Sequence, residues 1–278
     1  MSGNSGNKLS VLSVWKESYE LLKKKPVIAA PFLFTALFYI AGMCVVYLSP
    51  RYPLSTVFSP IVKAFWGDRF LHYPFNLILF PTLFNYSKNA IDFTFGLIMS
   101  GITISMTAQL FQSGEPSWFF GFGKSVKRYF RMLGLWVAVF VLIYAFSRTS
   151  YLLLEYVTTS VKAVVLLMFL FGVLIQALFA FGIPAVIVEN RKLPQSFKRA
   201  VALFKNYPVK LLLVVLGPNL IVLPFLFVNM RGMMEKSFPE ISILFVAAKI
   251  FFILLADIFY TVSVTVFFMK NKEIEGRL

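Results

Sequence analysis

Six stretches of this chain, each about twenty residues or longer, are almost wholly apolar and nearly free of charge. A run of ~20 such residues is long enough to cross the hydrocarbon core of a bilayer as a helix. In lipid, backbone N–H and C=O groups must find their partners within the segment, so continuous runs of this kind are read as helices. A transmembrane β-barrel would need short segments of alternating polarity instead. The predicted spans are Val27–Leu48, Ile91–Gln112, Leu133–Leu153, Val161–Val186, Val209–Val228 and Ile241–Met269. The expected fold class is an all-α polytopic membrane protein, one transmembrane domain over residues 1–278. The first run is too long for a signal-peptide core. An amphipathic segment precedes it and no small-residue cleavage site follows, so it is expected to be retained.

Composition agrees. The chain is 59% hydrophobic and 14% charged, with a mean hydropathy of +0.78. Ordinary soluble domains run at about 45–50% apolar and about 25% charged. A soluble enzyme, a secreted disulfide scaffold and a disordered tail are excluded on these figures. Cys44 is the sole cysteine and His72 the sole histidine. That leaves no intrachain disulfide, no cysteine metal cluster and no His-rich site, so neither metal nor cofactor is expected.

Lys and Arg number 27 against 12 Asp and Glu, a net +15. In a soluble protein this excess would point to nucleic acid. In a membrane protein it points to topology and to anionic headgroups. Eighteen of the 27 basic residues fall in the N-terminal segment, the second-to-third and fourth-to-fifth connections, and the C-terminus, with six acids among them. Both termini are therefore predicted to be cytoplasmic. Membrane lipids are the expected partners, with a protein partner in a membrane complex as a further possibility and no nucleic acid.

The chain also repeats itself. The segment ending Lys25-Pro26-Val27 aligns with that ending Tyr207-Pro208-Val209 at an offset of 182. This places Trp15 on Phe197, Tyr19 on Val201, Leu22 on Phe204, and Lys16 on Lys198. A weaker middle copy puts Phe122, Val126 and Tyr129 in the same three apolar positions, with Lys127 and Arg128 between them. Apolar residues at i, i+4 and i+7 with lysines between them describe an amphipathic helix. Each copy then reads as one cytoplasmic surface helix plus two spans, over approximately 9–112, 113–188 and 189–270. Aromatic residues suit the boundary between headgroups and acyl chains, and basic ones suit phosphates. Trp15, Tyr19, Phe122, Phe197, Lys198 and Arg199 are the interfacial candidates. Packing of the same stripes on the bundle is a compatible reading.

This pattern, carried by Trp15 to Val27, Glu115 to Arg131 and Glu189-Asn190 through Pro208, resembles a broad prokaryotic group. It is similar to the membrane domain attached to some glycerophosphoryl diester phosphodiesterases, and to stand-alone relatives of that domain. No residues remain here for the catalytic barrel of such fusions. The resemblance implies a six-helix fold in the prokaryotic plasma (inner) membrane, with no enzymatic activity attached.

One segment interrupts the repeat. Residues Ser49 to Ala90 form an insertion, predicted external, with five prolines and interspersed aromatics. Two short helices are predicted in it, Val57–Trp66 and Pro74–Phe84, each too short to span. A passive cap, a partner surface and a lid over a lipid-facing cleft all fit.

Within the spans, Arg148, Lys249 and Asp257 are the polar candidates. Ionisable residues in lipid are costly and usually face the bundle interior. Depth counting pairs Asp257 with Arg148, and puts Lys249 and Glu155 nearer the outer surface. Such a pair either fixes packing or forms part of a polar path. Small residues Gly96, Ser100, Gly101, Ser105 and Ala108 mark a packing face. Pro184, Pro218 and Pro224 predict kinks in the fourth and fifth spans. The function expected overall is that of a non-enzymatic structural, lipid-interacting or accessory subunit of the cell envelope. The alternative is a transporter or channel for a small solute or lipid. An intramembrane lipid enzyme ranks last, because the 12 acidic residues are scattered.

Overall fold

A computed structural model describes residues 9–112, 114–157, 161–227 and 240–276. Among these residues the chain is helical throughout, without strands. Thirteen α-helices are described: α1 (Val11–Lys24), α2 (Ala30–Leu48), α3 (Leu54–Trp66), α4 (Phe75–Ile91), α5 (Leu97–Gln112), α6 (Trp118–Lys127), α7 (Tyr129–Val157), α8 (Val161–Phe179), α9 (Gly182–Glu189), α10 (Leu193–Asn206), α11 (Pro208–Leu220), α12 (Leu223–Phe227) and α13 (Ile241–Ile274). Five helical stretches are long and apolar enough to cross a membrane: Pro26–Leu48, Phe75–Gln112, Tyr129–Phe146, Lys162–Glu189 and Ile241–Ile274. A sixth span is reached if α10 and α11, bent by 103°, count as one broken element.

Two sequence expectations need correction. The second span does not begin at Ile91. A π turn at Asp92–Gly96 joins α4 to α5, giving one 38-residue helical run from Phe75. The predicted short helix Pro74–Phe84 is thus the N-terminal half of that run, and only α3 stands apart in the insertion. The second correction is to the fifth span, expected over Val209–Val228. Here α11 ends at Leu220 and α12 covers only Leu223–Phe227. Residues 228–239 lie outside the described ones.

The breaks have a local cause. Proline has no N–H to give to the carbonyl four residues earlier, and its ring crowds that carbonyl. For Pro184 the carbonyl is that of Ala180, and α8 ends at Phe179. For Pro224 it is that of Leu220, where α11 stops.

Helices α1, α6 and α10 gather at one end of the bundle with the C-terminal end of α13. Ser10 caps α1 by accepting from the Ser13 N–H at 3.1 Å. The carboxylate of Glu17 on α1 is ion-paired with Lys270 on α13. Arg199 on α10 grips Glu275 through both terminal nitrogens, at 3.1 and 2.6 Å. The guanidinium of Arg128, just beyond α6, donates to the carbonyls of Val186 and Ile187 at the C-terminus of α9. A cation there meets carbonyls with no helical partner and the negative end of the helix dipole.

Small residues allow the closest approaches. A Cβ at Gly101 would stand 2.6 Å from Ser125 Oγ, so α6 lies directly on α5. A Cβ at Gly217 would stand 2.4 Å from Trp15 Cζ2, so the Trp15 indole is wedged between α1 and α11. Overpacking of this kind costs about 1–3 kcal/mol. Gly217→Ala is therefore expected to lower thermal stability in detergent by about that amount, and Trp15→Phe in the same chain should recover much of it. Thermal unfolding of the two single variants and the double variant checks this. Additive losses would place the strain elsewhere.

Candidate functional site

The π turn and the α8–α9 break border one central cavity of about 390 Å³, and α11 reaches it near its C-terminal end. Its walls come from all the spans. Thr35 and Tyr39 stand on α2, Lys88 on α4, and Asp92 and Gly96 on the π turn. Ser100 follows on α5, Trp136 and Phe140 on α7, and Gln176 on α8. Ala180 and Pro184 flank the α8–α9 break, and Asn219 precedes the α11–α12 break. From α13 come Asp257, Tyr260 and Thr261.

The polar wall on α2 and α4 is built from one turn of helix. Lys88 and Asp92 are four residues apart and therefore share a face. Their side chains form an ion pair at 2.5 Å and remain only 18% and 23% exposed. The Tyr39 hydroxyl, from the facing helix, donates to the same carboxylate. Lys88 also lies over the Tyr39 ring, 5.5 Å from its centroid. Packing of Tyr39 edge-on against Phe84, at 6.4 Å, fixes that ring. Asp92 thus has two donors, and the charge of Lys88 is matched.

The opposite wall is amide and aromatic. Asn219 donates to Gln176 Oε1 at 3.1 Å and to the Val215 carbonyl at 2.8 Å. This ties α11 to α8 just before the α11–α12 break. Trp136 and Phe140 stack at 5.1 Å on α7. Asp257 projects into the space between these walls. Among the described residues its carboxylate makes no ion pair and no hydrogen bond.

The expected Asp257–Arg148 pair is not formed. Depth counting ignored rotation about the helix axis. α7 faces the cavity with Trp136, Val139, Phe140 and Ile143. At about 100° per residue, Arg148 lies about 120° around from Trp136. Its side chain is exposed on the outside of the bundle. Lys249 sits half-buried beside Lys88, in a pocket of only about 20 Å³ bordered by Phe84 and Phe245. The side chain of Glu155 lies outside the described residues.

The interfacial candidates divide in two. Tyr19, Phe122 and Lys198 are exposed. Trp15 packs against α11, Phe197 meets Phe179 edge-on at 5.3 Å, and Arg199 is held by Glu275. Beside Phe122, Lys124 lies over the Phe120 ring at 4.2 Å. Burial, and then the charge of Arg128, hold the Lys124 ammonium below its usual range. Burial and then Arg131 act on Arg128 in the same direction.

Tyr39, Lys88, Asp92, Gln176 and Asn219 were not singled out from sequence. One signal was present. Lys88 and Asp92 at i, i+4 can neutralise each other, so they do not end an apolar helix. Among the described residues no three His, Cys, Asp or Glu side chains converge as metal ligands. In comparisons with protein-family models, curated proteins and solved structures, nothing matches the chain.

Removing one partner of a buried ion pair leaves the other uncompensated, at a loss of about 3 kcal/mol or more. Both side chains here keep some exposure, so Lys88→Met is expected near that lower bound. Lys88→Met with Asp92→Leu should lose less than Lys88→Met alone. A double-mutant cycle on thermal unfolding in detergent reads the coupling. A coupling near zero would show that the pair holds nothing together.

Proposed function

We propose that this chain is a non-enzymatic, multi-pass membrane protein that binds a lipid or lipid-like amphiphile within its spans. The cavity is the observation that supports this most directly. Ligand sites are typically concave, mostly apolar and about 300–1,000 Å³, with a few convergent polar groups. The cavity is of that size, at about 390 Å³. The stacked Trp136 and Phe140 give it an apolar side, while Tyr39, Asp92, Asn219 and Asp257 give it a polar one.

We place both termini on the cytoplasmic side of a prokaryotic inner membrane. The gathering of α1, α6 and α10 at one end, with most of the basic residues, supports that orientation. The three-copy organisation and the kinship with phosphodiesterase-linked membrane domains belong to the same proposal. α1 and α10 each end at a lysine- or tyrosine-proline step that leads into an apolar helix, as that organisation requires. Phe119 and Phe130 are 87% and 82% exposed close to Lys124 and Lys127. A surface of this chemistry suits anionic headgroups at the bilayer boundary.

Passage of the amphiphile, rather than storage, is the second reading. It is favoured by the break at Ala180–Phe181 and by the π turn, both at the cavity, and by the break at Ile221–Val222 close to it. Interrupted spans around a midplane site are a transporter device.

Purified protein exchanged extensively into maltoside detergent should retain about one equivalent of an amphiphile that organic extraction and mass spectrometry detect. Ser100→Phe, which fills the cavity, should release it while the helical circular dichroism is unchanged. Equal retention by both proteins would sink the cavity reading. For passage, reconstituted vesicles should move the extracted compound, and Ser100→Phe should slow that movement at least tenfold.

A further inference from the structure

We infer that the amphiphile carries a positively charged nitrogen, a protonated or quaternary amine joined to an apolar tail. The inference rests on the cavity being a ligand site, as proposed above. Three charged side chains border the cavity: Lys88, Asp92 and Asp257. Lys88 and Asp92 neutralise each other at 2.5 Å, and the Tyr39 hydroxyl takes up a further lone pair of Asp92. Asp257 is left as a carboxyl group without an ion pair among the described residues, and a bound cation would hold it ionised. Beyond the Lys88–Asp92 pair, the cations on the described helices do not reach it. Lys249 lies two helical turns away on α13 in its own small pocket, and Arg148 is on the outside of α7.

An uncompensated carboxylate within the spans is costly and marks a site by default. What surrounds Asp257 suits a cation. Pro184 provides no N–H for the Ala180 carbonyl, and Ala180 lines the same space. Both amide hydrogens of Asn219 are already used, which leaves its Oδ1 as an acceptor. Gln176 keeps its amide nitrogen as the one matching donor on that wall, so the wall is neutral on balance. Trp136, Phe140 and Tyr260 provide aromatic faces, which attract ammonium groups by cation–π contact. An anion would meet Asp257 with no cation left to bind it, since Lys88 is held by Asp92. The nitrogen belongs at Asp257 and the tail along the α7 aromatics.

The test is saturable binding of radiolabelled octyltrimethylammonium to the full chain in maltoside micelles. Wild type should bind it. Asp257→Asn should weaken binding at least tenfold, and Asp257→Glu, which keeps the charge, should retain most of it. Unlabelled octanesulfonate and octanol should compete poorly. Unchanged affinity in Asp257→Asn, or equal competition by octanesulfonate, would overturn the inference while leaving the cavity as a site. Saturable binding of the ammonium probe that persists in Ser100→Phe would place that probe elsewhere and overturn the inference too. If no octyl probe of any charge binds saturably, the cavity reading itself falls. The source of the nitrogen is read by competition. Phosphatidylethanolamine that displaces the probe where phosphatidylglycerol does not identifies an aminolipid headgroup. Displacement by neither, with binding intact, identifies a free amphiphilic amine.

Discussion

Backbone hydrogen bonding in lipid constrains everything else in this protein. Hydrocarbon offers no partner to a peptide group, so irregular backbone at membrane depth is tolerated only where it faces protein or a polar cavity. Among the described residues the spans are interrupted at the π turn Asp92–Gly96, after Phe179 and after Leu220, besides the 3-10 turn at Pro26–Ala29 and the bend between α10 and α11. The first two border one cavity, and the third follows closely on Asn219, which lines it. Their convergence follows from the constraint. Three separate breaks facing lipid would each leave unpaired carbonyls in hydrocarbon, whereas one shared polar space serves them together. The prolines that make two of the breaks therefore help to shape the site.

The same constraint explains which features could be read from the sequence. Apolar runs had to be helices, and five of the expected spans are present as long helices, with the fifth in chain order cut short. The kinks at Pro184 and Pro224 were readable because proline acts on a fixed neighbour four residues back, whereas Pro218, expected to kink too, sits inside α11 without ending it. The second span was misread for an equally local reason. Asp92 stood just inside the expected span and Lys88 just before it, and each alone would be expensive in lipid. Paired on one helix face, they cost far less, and the helix runs on through them from Phe75 to Gln112.

What could not be read was rotation. Counting residues gives depth along an axis, and depth brought Arg148 level with Asp257. It gives no information on which way a helix is turned against its neighbours. That depends on packing between elements far apart in sequence, such as the Phe181 ring against Phe267 and Phe268, at 5.5 and 5.6 Å. For the same reason Tyr39 passed as one more aromatic in an apolar run. Its hydroxyl matters only because α2 and α4 lie side by side, 53 residues apart in the chain.

The two ends of the polar problem are solved differently. At the end that holds α1, α6 and α10, charges are matched between helices: Glu17 with Lys270, Arg199 with Glu275, and Arg128 with the α9 carbonyls. These contacts fix the surface helices to the bundle, and they draw Arg199 and Trp15 away from the lipid boundary that their sequence positions suggested. In the centre, the one pair among the described residues lies within a single helical run, and Asp257 borders the same cavity. A bundle selected for stability alone would close that gap with a cation or an apolar side chain, since replacing buried ionic groups by well-packed apolar ones is often neutral or stabilising. A carboxyl group with no ion pair among the described residues, set beside Ala180 and the α7 aromatics, is what the proposed ligand site requires.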